Sequence, residues 1–266
     1  MRARPLSDNG ISDNSIVSKI KYKVKKAYLY FYDKKIRQFK AIDIGLKYDS
    51  FKIQTKLGGS MKILQTPYFF GGVNLELLNK VKTVNKTSNK KIRIMVGHSA
   101  FPFLSHKEVL NKLQKYKKGN FLISLVVSYG NENYRNEIIA YGESIFGDKI
   151  EIVNDFMLIE DYLYFLNTLD IAVFDHVHQS ALDNIFYLLY LNKKLVSNKN
   201  GIIAQALDLE KIEFNTTEEL GIISLVDILS DDDDYNENGM KFASQHLDTE
   251  IIQGKWKDTF YELEQL

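Results

Sequence analysis

The chain has 266 residues, 45% of them hydrophobic, which is enough for one large domain or two small ones around a packed core. Lys and Arg number 35 against 34 Asp and Glu, a balance that gives no electrostatic case for nucleic acid as a partner. There is no cysteine, so disulfides, a thiolate nucleophile and cysteine-ligated zinc are excluded.

Residues 1–16 are polar and punctuated by Pro5, Asn9, Gly10 and Asn14, the pattern of a mobile terminus. They lack the apolar core of a signal peptide, and no window supplies the roughly 20 apolar residues of a spanning helix, so the expected location is cytoplasmic. The Lys-rich segment Lys19–Lys26 reads as a solvated charged face. Its alternative is attraction to anionic lipid, which keeps peripheral contact with the inner face of the cell membrane open. Three β-leaning runs follow, Lys26–Asp33, Ser50–Lys56 and Met61–Phe69. The stretch Leu77–Lys91 ends in a polar Asn/Lys/Thr/Ser cluster that looks like an interdomain connection, placing a boundary near residue 85. Residues 17–85 then form a partial N-terminal lobe, and 86–266 a C-terminal lobe ending in a helix.

From residue 90 to 225 apolar, strand-like runs alternate with segments of helical spacing. The run Arg93–Ser99 has the continuous apolar character of a doubly covered parallel strand. Ser105 followed by Glu108 predicts a capping box at the start of the next helix. Strand Phe121–Ser128, helix Asn133–Gly147 stopped by its glycine, and strand Lys149–Asp155 repeat the unit. Helix Leu158–Leu169, strand Asp170–His176, helix Ala181–Asn192 and strand Lys193–Asn198 continue it. Five strands alternating with helices predict an α/β, Rossmann-like parallel sheet with right-handed crossovers. The acidic run Asp231–Tyr235 reads as a solvated loop, and the tail beginning at Trp256 as a terminal helix with that tryptophan as a packing anchor.

In an open parallel sheet the ligand crevice lies beyond the carboxyl ends of the strands. The residues there are His98, Ser99, Ser128, Tyr129, Gly130, Asn154, Asp155 and the stretch His176–Asn184. Gly97 allows close backbone approach, while His98 and Ser99 can donate to an oxygen-rich group. After the fourth strand, Gln179 and Ser180 precede a helix whose unpaired N–H groups and dipole suit a diphosphate, to which His178 adds charge when protonated. The same residues also suit a plain cap. A metal site is disfavoured, because His176 and His178 have no second ligand pair at metal spacing. Neither a Gly-x-Ser-x-Gly elbow nor a Gly-x-Gly-x-x-Gly turn is present, which argues against a serine hydrolase and against nicotinamide or flavin.

The order VGHSAFPFLSHKEVL, SYGNENYRNEI and IFGDKIEIVNDFMLIEDYLYFLNTLDIAVFDHVHQSALDNI, with QGKW near the end, resembles glycosyltransferase family 56, the fucosaminyltransferases of enterobacterial common antigen synthesis. The likeness covers about residues 62–262. It implies a GT-B-like fold of two Rossmann-like lobes, the C-terminal one holding a nucleotide-sugar donor. It implies transfer of 4-acetamido-4,6-dideoxygalactose from a dTDP-linked donor to a lipid-linked saccharide acceptor at the inner membrane face, with no cofactor and no metal required. By resemblance Gly97, His98 and Ser99 match the family's VGNS turn, and Tyr129, Gly130 and Tyr134 its YG segment. Glu160 and Tyr162 match the region near the nucleotide, and His178, Gln179 and Asn184 the diphosphate turn, where Ser180, just before the helix, is a further donor-binding candidate. His98 stands where the family has Asn, His178 where it has Arg, and Asp183 where it has Gly. About 85 residues precede the C-terminal lobe, against roughly 150 for a complete lobe, so the acceptor side is expected to be shortened and no catalytic base is named. The alternative expectation is a nucleotide-binding remnant without turnover.

Overall fold

The computed structural model describes residues 40–45, 62–67, 73, 75–84, 91–230 and 233–266. The expected mobile terminus, Lys19–Lys26, the runs at 26–33 and 50–56, and the polar cluster at 85–90 lie outside the described residues. Two compact units are present, Pro67–Gly254 and a smaller one of Met1–Thr66 with Lys255–Leu266.

In the smaller unit β1 (Ala41–Ile44) and β2 (Lys62–Gln65) pair in parallel. The Asp43 carboxylate ends this pair by accepting from both the backbone N–H and the hydroxyl of Thr66. Lys62 meets Glu262 at 2.8 Å on the final helix, where the Trp256 ring lies against Phe260.

The larger unit carries six parallel strands: β3 (Ile92–Val96), β4 (Phe121–Val126), β5 (Ile150–Val153), β6 (Ile171–Phe174), β7 (Lys194–Ser197) and β8 (Asn215–Thr216). Their spatial order is β5-β4-β3-β6-β7-β8, the doubly wound arrangement whose order reverses between β3 and β6. The helices are α1 (Leu75–Lys82), α2 (His106–Leu113), α3 (Glu132–Phe146), α4 (Ile159–Thr168), α5 (Leu182–Tyr190), α6 (Ile202–Leu209), α7 (Leu225–Ile228), α8 (Asp233–Leu247) and α9 (Thr249–Glu264). The central strands β3, β4 and β6 are largely buried on both faces, which is why their sequences run apolar with little alternation, Arg93 and Ser124 being the polar exceptions. On one face Ile94, Val96, Ile123, Leu125 and Val173 pack with Leu110, Leu113, Ile138 and Phe146 of α2 and α3. On the other layer α1 packs on α4, α4 on α5 and α5 on α8, the last pair through Phe186, which stacks on His246 at 4.3 Å. Asn167 donates to the carbonyl of Val81 at 2.8 Å while its own carbonyl accepts from buried Lys193 at 2.6 Å, so α1 is tied into this unit by satisfied buried polar groups.

Three local expectations are corrected. Ser105 forms no capping box. It sits at φ 54°, ψ 37°, closing the 3-10 turn Pro102–Leu104 with its N–H on the Pro102 carbonyl, whereas a capping side chain needs extended backbone. The acidic run is not a loop throughout: α8 begins at Asp233, and acidic residue types suit a first helical turn, while Asp231 and Asp232 lie outside the described residues. A sixth strand, β8, follows the five expected. Gly147 does end α3, at φ 55°.

Among the described residues no helix is long and apolar enough to cross a membrane. Gly254, inside α9, has no atom within 4 Å of where a Cβ would stand among the described residues. Gly254→Ala is therefore expected to raise stability by up to about 1 kcal/mol through helix propensity alone, read as a higher thermal midpoint.

Candidate functional site

The strand order reverses between β3 and β6, so the turns leaving these two strands flank the natural crevice of the sheet. The first is Gly97-His98-Ser99. Gly97 has φ +68°, and a Cβ there would stand 2.2 Å from Nε2 of His106, whose fully buried ring packs under the turn. The His106 Nδ1 lies 3.1 Å from the hydroxyl of Tyr134, and burial pushes that phenol up to about 12. Tyr134 thus props the first turn from beneath.

The turn after β4 is sewn to the first. Ala100 N–H donates to the Tyr129 carbonyl at 2.6 Å, and Asn131 N–H to the Ala100 carbonyl at 2.8 Å. Gly130, at φ +125°, is required because a Cβ would meet the Ala100 carbonyl oxygen at 2.6 Å. Asn131 then caps α3 by accepting from Tyr134 N–H. Tyr129 is half-exposed above His98, with ring centroids 6.5 Å apart.

The second turn runs from Asp175 to Ala181. The strand ends at Phe174, so His176 and His178 do not share a face: His176 is 1% exposed and His178 is exposed, with Gln179 and Ser180 intermediate. Asp175 accepts at 2.8 Å from both Asn198 and Thr217, tying the ends of β6, β7 and β8 together. Across the crevice His98 Nε2 lies 3.0 Å from Ser180 Oγ, and His176 Nε2 lies 3.4 Å from the Ser180 carbonyl. Ala181 follows in the left-handed region at φ 56°, and α5 starts with no side-chain cap. Asp183 in its first turn accepts from Asn184 N–H at 2.9 Å.

Electrostatically the floor of the crevice is neutral imidazole. Burial holds His98 down at about 3, aided by the neighbouring His176 and His106, and holds His106 and His176 at about 4. The wall is phenolic. Burial, then the Asp183 charge, raises both Tyr162 and Tyr187, while a hydrogen bond with Asn184 opposes the rise at Tyr162. Burial also raises Tyr129, with the Asp183 charge acting in the same direction.

Of the residues singled out in the sequence, Gly97, His98, Ser99, Tyr129, Gly130, Ser180, Asn184 and Tyr162 gather around the two turns. Tyr134 lies behind them, and His178 and Gln179 sit on the rim. Glu160 points elsewhere, bonding Lys80 of α1 at 2.7 Å, because two residues of separation on a helix turn side chains to opposite sides. Asn154 and Asp155 are exposed at the end of β5. Sequence reasoning missed His106, Tyr187 and the Asp175 network, whose placement is purely tertiary. Among the described residues no three potential metal ligands converge.

The sequence pattern of the family described as "4-alpha-L-fucosyltransferase glycosyl transferase group 56" matches residues 22–228. No curated protein matches in sequence. Among solved structures, a glycosyltransferase from Rickettsia africae ESF-5 is 16% identical, with a TM-score of 0.66 over 89% of this chain and 66% of its own. Sucrose-phosphate synthase from Thermosynechococcus elongatus is 13% identical, TM-score 0.64, over 90% of this chain and 62% of its own. Anabaena HepE, solved with UDP and glucose, is 13% identical, TM-score 0.61, over 84% of this chain and 63% of its own. The chain therefore spans less than two thirds of each of these proteins. Such likenesses show the fold, α/β of the GT-B kind.

Proposed function

Because the chain belongs to glycosyl transferase group 56, the 4-alpha-L-fucosyltransferase family, we propose that it transfers a sugar from a nucleotide-linked donor held at the β3/β6 switch point. The observation that carries this reading is the uncapped start of α5, brought by Ser180 against His98 of the opposite turn. A donor diphosphate there would meet the first-turn N–H groups of Leu182 and Asp183, the Asn184 N–H being held by the Asp183 carboxylate, and the positive end of the helix dipole. These groups stand ready where negative charge grows as the sugar leaves, so no reorganisation is needed at that moment. The finer reading is a dTDP-linked 4-acetamido-4,6-dideoxygalactose donor and a lipid-linked saccharide acceptor at the inner membrane face, in cell-surface polysaccharide synthesis. Its support is the order of motifs from VGHS to QGKW.

Two residues tune the site against the family pattern. The exposed His178 replaces a permanent, bidentate phosphate ligand with a titratable one. Asp183 brings a carboxylate to the first turn of α5, close enough to raise three neighbouring phenols. Both lower the affinity expected for a bare nucleoside diphosphate. His178→Arg and Asp183→Asn are each expected to tighten dTDP binding by about tenfold.

Titration calorimetry with dTDP and with UDP tests the proposal. Heat of binding to dTDP in preference to UDP supports the donor assignment, and the absence of heat with both at millimolar concentration refutes it. Incubation with the dTDP-sugar and a prenyl-diphosphate saccharide then tests turnover. Binding without transfer would make the chain a nucleotide-binding module instead.

A further inference from the structure

We infer that His98 is a positioning residue for the donor's distal phosphate: its Nε2–H donates to Ser180 Oγ and leaves the Ser180 hydroxyl hydrogen free to donate to a phosphate oxygen at the start of α5. The inference rests on the reading that this turn receives a diphosphate.

The tautomer follows from which atoms have partners. His176 Nε2 faces the Ser180 carbonyl at 3.4 Å, and a carbonyl only accepts, so the proton of His176 is on Nε2. Its buried Nδ1, without a hydrogen-bond partner, is then a bare lone pair. His98 repeats the arrangement, with Nε2 at 3.0 Å from Ser180 Oγ and a buried Nδ1 without a partner. Were the His98 proton on Nδ1, it would be an orphaned buried donor, which folded proteins avoid. With the proton on Nε2 the bond runs from imidazole to hydroxyl oxygen. The hydroxyl hydrogen then has to point elsewhere, and Ser180 is partly exposed beside the uncapped helix start.

The two histidines together grip Ser180 at its hydroxyl and its carbonyl. Ala181, immediately after, is a left-handed non-glycine residue, a conformation that persists only where its surroundings over-determine it. The grip supplies that constraint. It also fixes where the first N–H groups of α5 point, so His98 acts on the phosphate through Ser180 rather than by touching it.

Calorimetry on the full chain at neutral pH, with dTDP and UDP as probes, reads the effect. Ser180→Ala and His98→Met are each expected to weaken binding by about tenfold, and the double variant by no more than that, since both remove one donated bond. His98→Gln, whose amide N–H reaches about as far as Nε2, is expected to return to within about threefold of the parent. Losses that multiply in the double variant, or a His98→Gln chain as weak as His98→Met, overturn the inference. Imidazole nitrogen and carbon shifts in the unsubstituted protein give a second reading: the Nε2–H tautomer at His98 is required, and the Nδ1–H tautomer overturns the inference even if a variant fails to fold. A parent chain that binds neither nucleotide removes the donor reading itself, while the tautomer measurement stands apart from that result.

Discussion

Lowering the pH from 7 to 5 is expected to depress the thermal midpoint of the larger unit steeply, well before its carboxylates titrate. Three imidazoles in the switch-point floor, His98, His106 and His176, are between 0% and 6% exposed. Their folded values lie near 3, 4 and 4, against about 6.5 in the unfolded chain. Above pH 6.5 both states are neutral at these positions and nothing is lost. Between 6.5 and 4 the unfolded state binds three protons that the folded state refuses, so stability falls as the pH falls. Each group contributes a slope of up to about 1.4 kcal/mol per pH unit, and the three together about 4. Against a total stability of about 5–15 kcal/mol, that slope removes the lower end of the range within one or two pH units and most of the upper end by about pH 4. Circular dichroism melts at half-unit steps from pH 8 to 5 check it, and His98→Gln should remove about a third of the slope. A midpoint unchanged between pH 7 and 5 would show that these rings are not held neutral by burial.

Much of this fold is readable from local chemistry. Strands β3, β4 and β6 announce themselves as largely apolar runs, broken only by Arg93 and Ser124, because both their faces are covered, and Gly147 ends α3 at a positive φ that favours glycine. The failures share a different cause. Ser105 carries the residue types of a capping box, but the preceding 3-10 turn fixes its backbone in a conformation that no residue type reveals. At the acidic run, polarity suggested a loop where α8 begins at Asp233, and β8 is two residues long, too short to carry a period.

The site divides in the same way. That polar residues gather beyond β3 and β6 follows from topology, which the alternation of elements already contains. Which of them meet does not. His106 and Gly97 are nine positions apart and touch only because α2 folds back under the turn, while Glu160 and Tyr162 are two apart and diverge. The histidine pair at 176 and 178, the most conspicuous feature of the sequence, separates into a buried ring that grips Ser180 and an exposed one on the rim. The partner of consequence for this turn is His98, 82 residues away from Ser180.

Gly97→Ala is expected to cost about 2–5 kcal/mol and to abolish nucleotide binding together with stability. Two penalties add. A non-glycine residue at φ +68° pays about 1–2 kcal/mol for the left-handed region. The new methyl would also stand 2.2 Å from His106 Nε2, and forcing a group into a packed interior costs a further 1–3 kcal/mol or so. The ring has little room to retreat, since His106 is fully buried and its other nitrogen is engaged with Tyr134 at 3.1 Å. Gly147→Ala isolates a backbone penalty without a clash. Its φ is +55° and ψ −119°, but no atom lies within 4 Å of the added Cβ among the described residues, so its loss should come from backbone conformation alone, about 1–3 kcal/mol. Urea unfolding of the two variants measures the difference. Equal losses would mean that His106 moves aside freely and that only backbone conformation demands glycine at 97. A larger loss at 97, relieved when His106 is also replaced by Ala, would identify the ring as the body that sets the height of the His98 turn, and with it the reach of His98 to Ser180.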